Sequence, residues 1–168
     1  MKTFKGFIAV LSITLAAAFA ASAQTNLTSL DGTRINVEGQ SGKVVVLAVG
    51  ASWLPLCNKQ AEFTNALAKK YAGRDVVFYF ITTDSINAGS KNFATVDGIR
   101  KFAGANKLSV AVLRDPDGTE TLKKFNIEQM PSFVVLDKNG RQSGEAFGGI
   151  DPKYDITIAM SKVIDKLL

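Results

Sequence analysis

The single thiol of this chain is Cys57, in the segment Ala51-Ser52-Trp53-Leu54-Pro55-Leu56-Cys57. One cysteine in 168 residues cannot form an intramolecular disulfide. There is no histidine, so the commonest general base and the commonest metal ligand are both missing. Ser-His-Asp and Cys-His nucleophile systems are thereby excluded, and a structural zinc site has too few ligands. Carboxylates, amines, backbone groups and one thiol remain. A thiol reacts as its thiolate. Cys57 falls where a helix should begin, and there the macrodipole and nearby Lys59 would favour that form.

The elements that must position Cys57 follow from periodicity. Leu27–Val37 reads as a hairpin turning at Asp31-Gly32. Lys43–Val49 is a continuous apolar run, as expected of a strand buried on both faces. A helix should run from the Cys57 loop to about Tyr71, burying Phe63, Ala66, Leu67 and Tyr71. Val76–Thr82 is a second buried strand, Ser85–Asn92 a loop, Val96–Ala105 a helix and Val110–Arg114 a third strand. The turn Asp115-Pro116-Asp117-Gly118 leads into an expected short helix over Thr119–Phe125. Ser132–Asp137 and Gln142–Phe147 should pair around Lys138-Asn139-Gly140. Asp151-Pro152 reads as the start of a last helix with Ile156, Ala159, Met160, Val163 and Leu167 inward. The order β-β-β-α-β-α-β-α-β-β-α predicts an α/β fold: a mixed sheet with helices on both faces. Ligands of such sheets sit where a strand's C-terminal end enters a helix, and Ser52–Cys57 occupies such a place.

The flanking composition narrows the setting. Met1–Ala23 reads as a secretory signal: Lys2 and Lys5, an apolar stretch Phe7–Ala20, then Ala21-Ser22-Ala23. Residues 24–168 would then form one exported domain, periplasmic or extracellular, with no membrane association after cleavage. Losing Lys2 and Lys5 takes the formal net charge from +5 to +3. The remaining basic residues are scattered among acids, so no nucleic-acid partner is expected. No phosphate-binding loop or paired-carboxylate spacing is present. Asp115-Pro-Asp-Gly and Asp137-Lys-Asn-Gly lack the carboxylates and closing Glu of a calcium loop and read as turns. No metal and no cofactor is expected.

The stretch Val44–Cys57 (VVVLAVGASWLPLC) resembles the active-site strand and loop of thioredoxin-like proteins, especially the exported TlpA-like and redoxin branch. Gln129-Met130-Pro131-Ser132-Phe133, with the strand and turn after it, resembles the segment carrying that family's cis-proline. The resemblance covers residues 27 to 168 and implies a three-layer α/β/α sandwich with an N-terminal hairpin. It implies a site of Trp53, Leu54, Pro55 and Cys57 facing Met130 and Pro131. The family reaction needs two cysteines three apart, one attacking and one resolving. Here Leu54 stands at the first position and only Cys57 remains. Ala48 stands where thioredoxin buries an Asp that carries protons.

Three readings of Cys57 follow. It is a shielded small hydrophobe. Or it is a one-thiol redox site forming mixed disulfides or a sulfenic acid, with an external thiol as partner. Or, as a special case, it reduces peroxide as peroxiredoxins do. Leu54 then stands in place of their Thr, with Arg114 and Arg141 as candidate assisting cations. A cis bond at Pro131 would expose the Met130 backbone to an extended partner strand. The functional alternatives are therefore limited thiol chemistry at Cys57 and a non-catalytic module holding extended or apolar peptide in the Trp53, Leu54, Met130 and Pro131 groove. Oligomeric state is open at this point.

Overall fold

A computed structural model describes residues 24–168. The expected signal segment lies outside the described residues. The chain forms β1 (Asn26–Ser29), β2 (Arg34–Asn36), β3 (Val44–Gly50), α1 (Leu56–Lys70), β4 (Val76–Thr82), α2 (Val96–Ala105), β5 (Ala111–Arg114), β6 (Ser132–Leu136), β7 (Phe147–Gly148) and α3 (Ile156–Leu167). Seven strands make one sheet in the order β2-β1-β5-β4-β3-β6-β7. β3, β4 and β5 run parallel, and β1, β2, β6 and β7 pair antiparallel. This is the thioredoxin-like mixed sheet.

β3 lies between β4 and β6, and every residue in it is buried. Its alternation divides the core. Val44, Val46 and Ala48 point to one face, where α1 supplies Cys57, Ala61, Phe63 and Leu67, α2 supplies Ile99, and α3 supplies Met160 and Ile164. Val45, Leu47 and Val49 point to the other, under Phe125 with Leu122 and Ile127 against it. The apolar run of β3 is thus the consequence of covering on both faces. α2 is capped by Thr95, whose hydroxyl accepts from the Gly98 amide at 3.0 Å.

The departures from sequence expectation have local causes. Thr119–Phe125 is not a helix. A 3-10 turn over Pro116–Gly118 leads into successive turns. The fully buried Asp115 carboxylate accepts from the amides of Glu120 (3.0 Å) and Thr121 (2.9 Å) and from the Thr121 hydroxyl (2.5 Å). That competes with helical hydrogen bonding. Two helix-type bonds survive, Leu122 to Gly118 and Phe125 to Thr121. The covering layer on this face is therefore made of turns.

The strand expected over Gln142–Phe147 is cut short. Gln142 bridges Leu136, the left-handed Gly144 breaks the ladder, and pairing resumes only at β7. The last helix starts later than Asp151-Pro152. Its cap is Asp155, which accepts from the Thr157 amide (3.0 Å) and hydroxyl (2.5 Å), while Asp151 closes a turn onto Lys153. Ala66 and Ala159 face solvent, and Ser161 and Ile164 take inner positions of α3. The Lys138-Asn139-Gly140 turn forms as expected, with Gly140 left-handed and a Cβ there meeting the Glu38 carbonyl.

Asp115→Ala is expected to cost about 2–4 kcal/mol, because it leaves the buried amide and hydroxyl of Thr121 unpaired, together with the part-buried Glu120 amide. Urea denaturation followed by circular dichroism reads this as a lower midpoint with unchanged slope. A loss below about 0.5 kcal/mol would show that the turns hold without the carboxylate.

Candidate functional site

The parallel strands end together, with Gly50, Thr82 and Arg114 in register. β6 runs the other way, so its first residue, Ser132, pairs with Val49 at this same end. Topology alone therefore brings the Ala51–Pro55 loop, the start of α1, Thr83–Ser85 and the Met130–Pro131 turn to one edge.

Cys57 lies in the first turn of α1 and has no exposed surface. Its amide donates to the Leu54 carbonyl at 3.0 Å, and its Sγ accepts from the Ala51 amide at 3.3 Å. Burial pushes the thiol from its ordinary 9.0 up to about 11, and the Asp84 carboxylate adds to the rise against the Ala51 hydrogen bond. Lys59, the cation expected to help the thiolate, is tied to Glu62 at 2.6 Å. Gly50 is required beside the sulfur. A Cβ there would lie 2.5 Å from Cys57 Sγ and 2.6 Å from Gln60 Oε1.

Around this thiol the backbone is held by polar side chains. Gln60, fully buried, donates from Nε2 to the carbonyls of Val49 (3.2 Å) and Ser132 (2.7 Å), tying β3 to β6. Its Oε1 has no partner, nor does the buried Ser132 hydroxyl. Asp84 accepts from the Ser52 amide (3.0 Å) and hydroxyl (2.6 Å), anchoring the loop. The Thr83 hydroxyl donates to the Gly50 carbonyl at 3.0 Å, with the Met130 sulfur 3.6 Å away.

The structure thus brings Trp53, Leu54, Pro55 and Cys57 together with Met130 and Pro131. Trp53 is 47% exposed, Leu54 is half-buried against the core, and Pro55 is exposed. The Met130–Pro131 peptide bond is cis. Ala48 sits in the same core cluster as Cys57, without a carboxylate. Arg114 ends β5, two strands from β3, and Arg141 follows the turn at the opposite end of β6. Neither arginine is among the partners of Cys57.

Sequence reading missed Gln60, Thr83 and Asp84. Their signal was present: a polar run, Thr82-Thr83-Asp84-Ser85, straight after an apolar parallel strand, and a Gln three residues past Cys57 on the helix's inner face. No group of three or more His, Cys, Asp or Glu residues able to hold a metal occurs among the described residues.

The Redoxin family model matches residues 14–144. The chain belongs to the redoxin family. A curated relative, thiol-disulfide oxidoreductase ResA of Bacillus thuringiensis (strain Al Hakam), is 25% identical over 122 residues, 73% of this chain. The match spans 65% of ResA, just under two thirds of its length. Two solved structures share the redoxin chain's fold. The exposed lipoprotein thioredoxin Etrx1 of Streptococcus pneumoniae strain TIGR4 superposes with TM-score 0.66 at 23% identity, covering 86% of this chain and 100% of the other. A secreted Mycobacterium tuberculosis disulfide oxidoreductase superposes with TM-score 0.62 at 23% identity, over 86% and 96%.

In native protein at pH 8, alkylation of Cys57 is expected to be about 100-fold or more slower than in denaturant, the ratio of thiolate fractions at pKa values near 11 and 9. Iodoacetamide labelling followed by mass spectrometry measures it, and equal rates would show an accessible thiol. The sign of the pH dependence also follows. The folded protein holds the thiol proton more tightly, so this stability is complete below pH 9 and is lost as pH rises toward 11. Separately, Leu54→Cys is expected to form a disulfide with Cys57 under mild oxidant. A variant that stays reduced would show that Leu54 does not occupy the attacking position.

Proposed function

We propose that this redoxin-family chain is an exported module that holds an extended, largely apolar peptide segment at the Trp53–Leu54 loop and the Met130–Pro131 turn, with Cys57 as part of the core. The observation that carries the reading is the buried Cys57, its thiol raised to about 11. A protonated, inaccessible sulfur is a poor nucleophile. Around it a partly exposed apolar edge remains. Trp53 offers half its surface, and Leu56, at the helix start, is exposed. Leu in place of a nucleophilic thiol makes this edge more apolar. The Met130 amide and carbonyl make no hydrogen bond among the described residues, so they are available to a partner strand. Beside the turn, a polar cleft of about 320 Å³ is lined by Gln129, Ser132, Glu145 and Gly148.

Export is supported by the order of basic, apolar and small residues over Met1–Ala23 and by relatives named as secreted or exposed. Residues 24–168 are then the working domain. No helix among the described residues is long and apolar enough to cross a membrane. The second reading, single-thiol redox or peroxide chemistry at Cys57 with an external thiol, is favoured by lineage alone.

Two arms separate the readings. A fluorescein-labelled, cysteine-free peptide rich in Val, Leu and Phe is expected to bind with micromolar affinity by anisotropy. Trp53→Ala and Leu54→Asp should each weaken it about tenfold, the loss of one anchoring contact. In parallel, peroxide with a sulfenic-acid trap is expected to leave Cys57 unmodified. Trapped Cys57 without peptide binding would overturn the binding reading in favour of thiol chemistry.

A further inference from the structure

α3 presents a second surface that the site does not use. Its inner stripe, Met160 and Ile164, is spent in the core. On its outer side, Asp155, Ile158, Ala159 and Lys162 recur at spacings of three, four and seven, which places them on one face. All four are exposed, Ile158 to 61%. They border an apolar groove of about 800 Å³ that continues to Ile150 and Tyr154, the latter 73% exposed. Tyr154 and Ile158 are among the most exposed large apolar side chains of the described residues, and such exposure marks an interface.

The charges on this face select the occupant. Asp155, the cap, and Lys162, about two turns further on, stand at its two ends. Neither makes a salt bridge within 4 Å among the described residues, and Lys59 acts on the Asp155 carboxyl only as a more distant charge. The midpoint between them falls between Ile158 and Ala159. A two-fold axis through that midpoint, perpendicular to the helix, lays α3 antiparallel on α3 of a second copy. It then sets Asp155 of each copy against Lys162 of the other and Ile158 against Ala159. The face is complementary to itself, as a two-fold interface requires. Ala159 at the crossing allows close approach, and the two helix dipoles oppose. The Thr157 hydroxyl and amide hold the Asp155 carboxyl below its ordinary range, so it stays charged. An unrelated peptide would match this charge spacing only by coincidence, whereas a second copy matches it by symmetry.

We infer that the outer face of α3, centred on Ile158 and Ala159 and bounded by Asp155 and Lys162, is the interface of a two-fold dimer of this chain. The inference stands independently of the proposed peptide binding, since it uses no residue of the Trp53–Met130 edge.

Sedimentation velocity of the purified protein from about 1 to 500 µM tests it, a range that brackets micromolar association. The wild type is expected to double in mass across that range. Ile158→Asp should remain monomeric throughout. Lys162→Glu turns two attractions per dimer into two repulsions and should raise the dissociation constant about tenfold or more, with the difference shrinking at high salt. Lys101→Glu, which removes the same charge from exposed α2, should leave the wild-type constant unchanged. Circular dichroism melts confirm that the variants fold. A wild type that stays monomeric at 500 µM would overturn the inference, and so would a dimer indifferent to Ile158→Asp and Lys162→Glu. A monomer whose Ile158→Asp variant loses the apolar peptide would instead assign the groove to peptide.

Discussion

The close approach of the Cys57 sulfur to Gly50 governs this end of the sheet. Because residue 50 has no side chain, α1 can start directly against the end of β3 and bring Cys57 and Gln60 onto the strand's last peptide. From there the constraints propagate. Gln60 reaches past Cys57 to the Ser132 carbonyl, so the helix start and the cis-proline turn share one anchor. Thr83 bonds the Gly50 carbonyl next to the Met130 sulfur. The loop between Gly50 and Leu56 is then fixed from below by Ser52 on Asp84, and only Trp53, Pro55 and Leu56 are left to face outward.

That anchoring decides the chemistry of the thiol by magnitude. A helix N-terminus stabilises a negative group by about 0.3–1 kcal/mol at an exposed position, up to about 2 in partly buried ones. A thiol at about 11 instead of 9.0 carries roughly 3 kcal/mol against the thiolate, after the Ala51 amide has already contributed in its favour. Desolvation outweighs the dipole. The buried Asp84 carboxylate pushes the same way. A sequence shows the helix start but not the depth of the residue beneath it, so position suggested a favoured thiolate and burial reversed the sign.

The same distinction separates what the residues alone revealed from what they concealed. The strands β3 and β4, the boundaries of α2 and the Met130–Pro131 turn were legible because each depends on local pattern or on a short motif. The helix expected at Thr119–Phe125 was not, because its failure depends on where one carboxylate, Asp115, folds back. The cap of α3 moved from Asp151 to Asp155 for a related reason. Both aspartates can accept local amides, and only Asp155 has the Thr157 hydroxyl as well. Gln60 and Asp84 escaped notice because their partners lie 72 and 32 residues away in sequence.

Substitution at a dithiol position also has consequences beyond the missing sulfur. In this chain Leu54 leans into the core cluster that holds Cys57, and its carbonyl accepts the Cys57 amide. A leucine there adds apolar surface to that cluster, where a cysteine would present a thiol. The parts of the edge that do not depend on sulfur remain: an exposed Trp53, a cis turn at Pro131 and the unpaired backbone of Met130. On the proposed reading, an edge that receives a strand without exchanging a disulfide with it would release its partner by dissociation alone. Affinity at such a site would be set by apolar contact and backbone pairing, which are reversible, with no contribution from redox state.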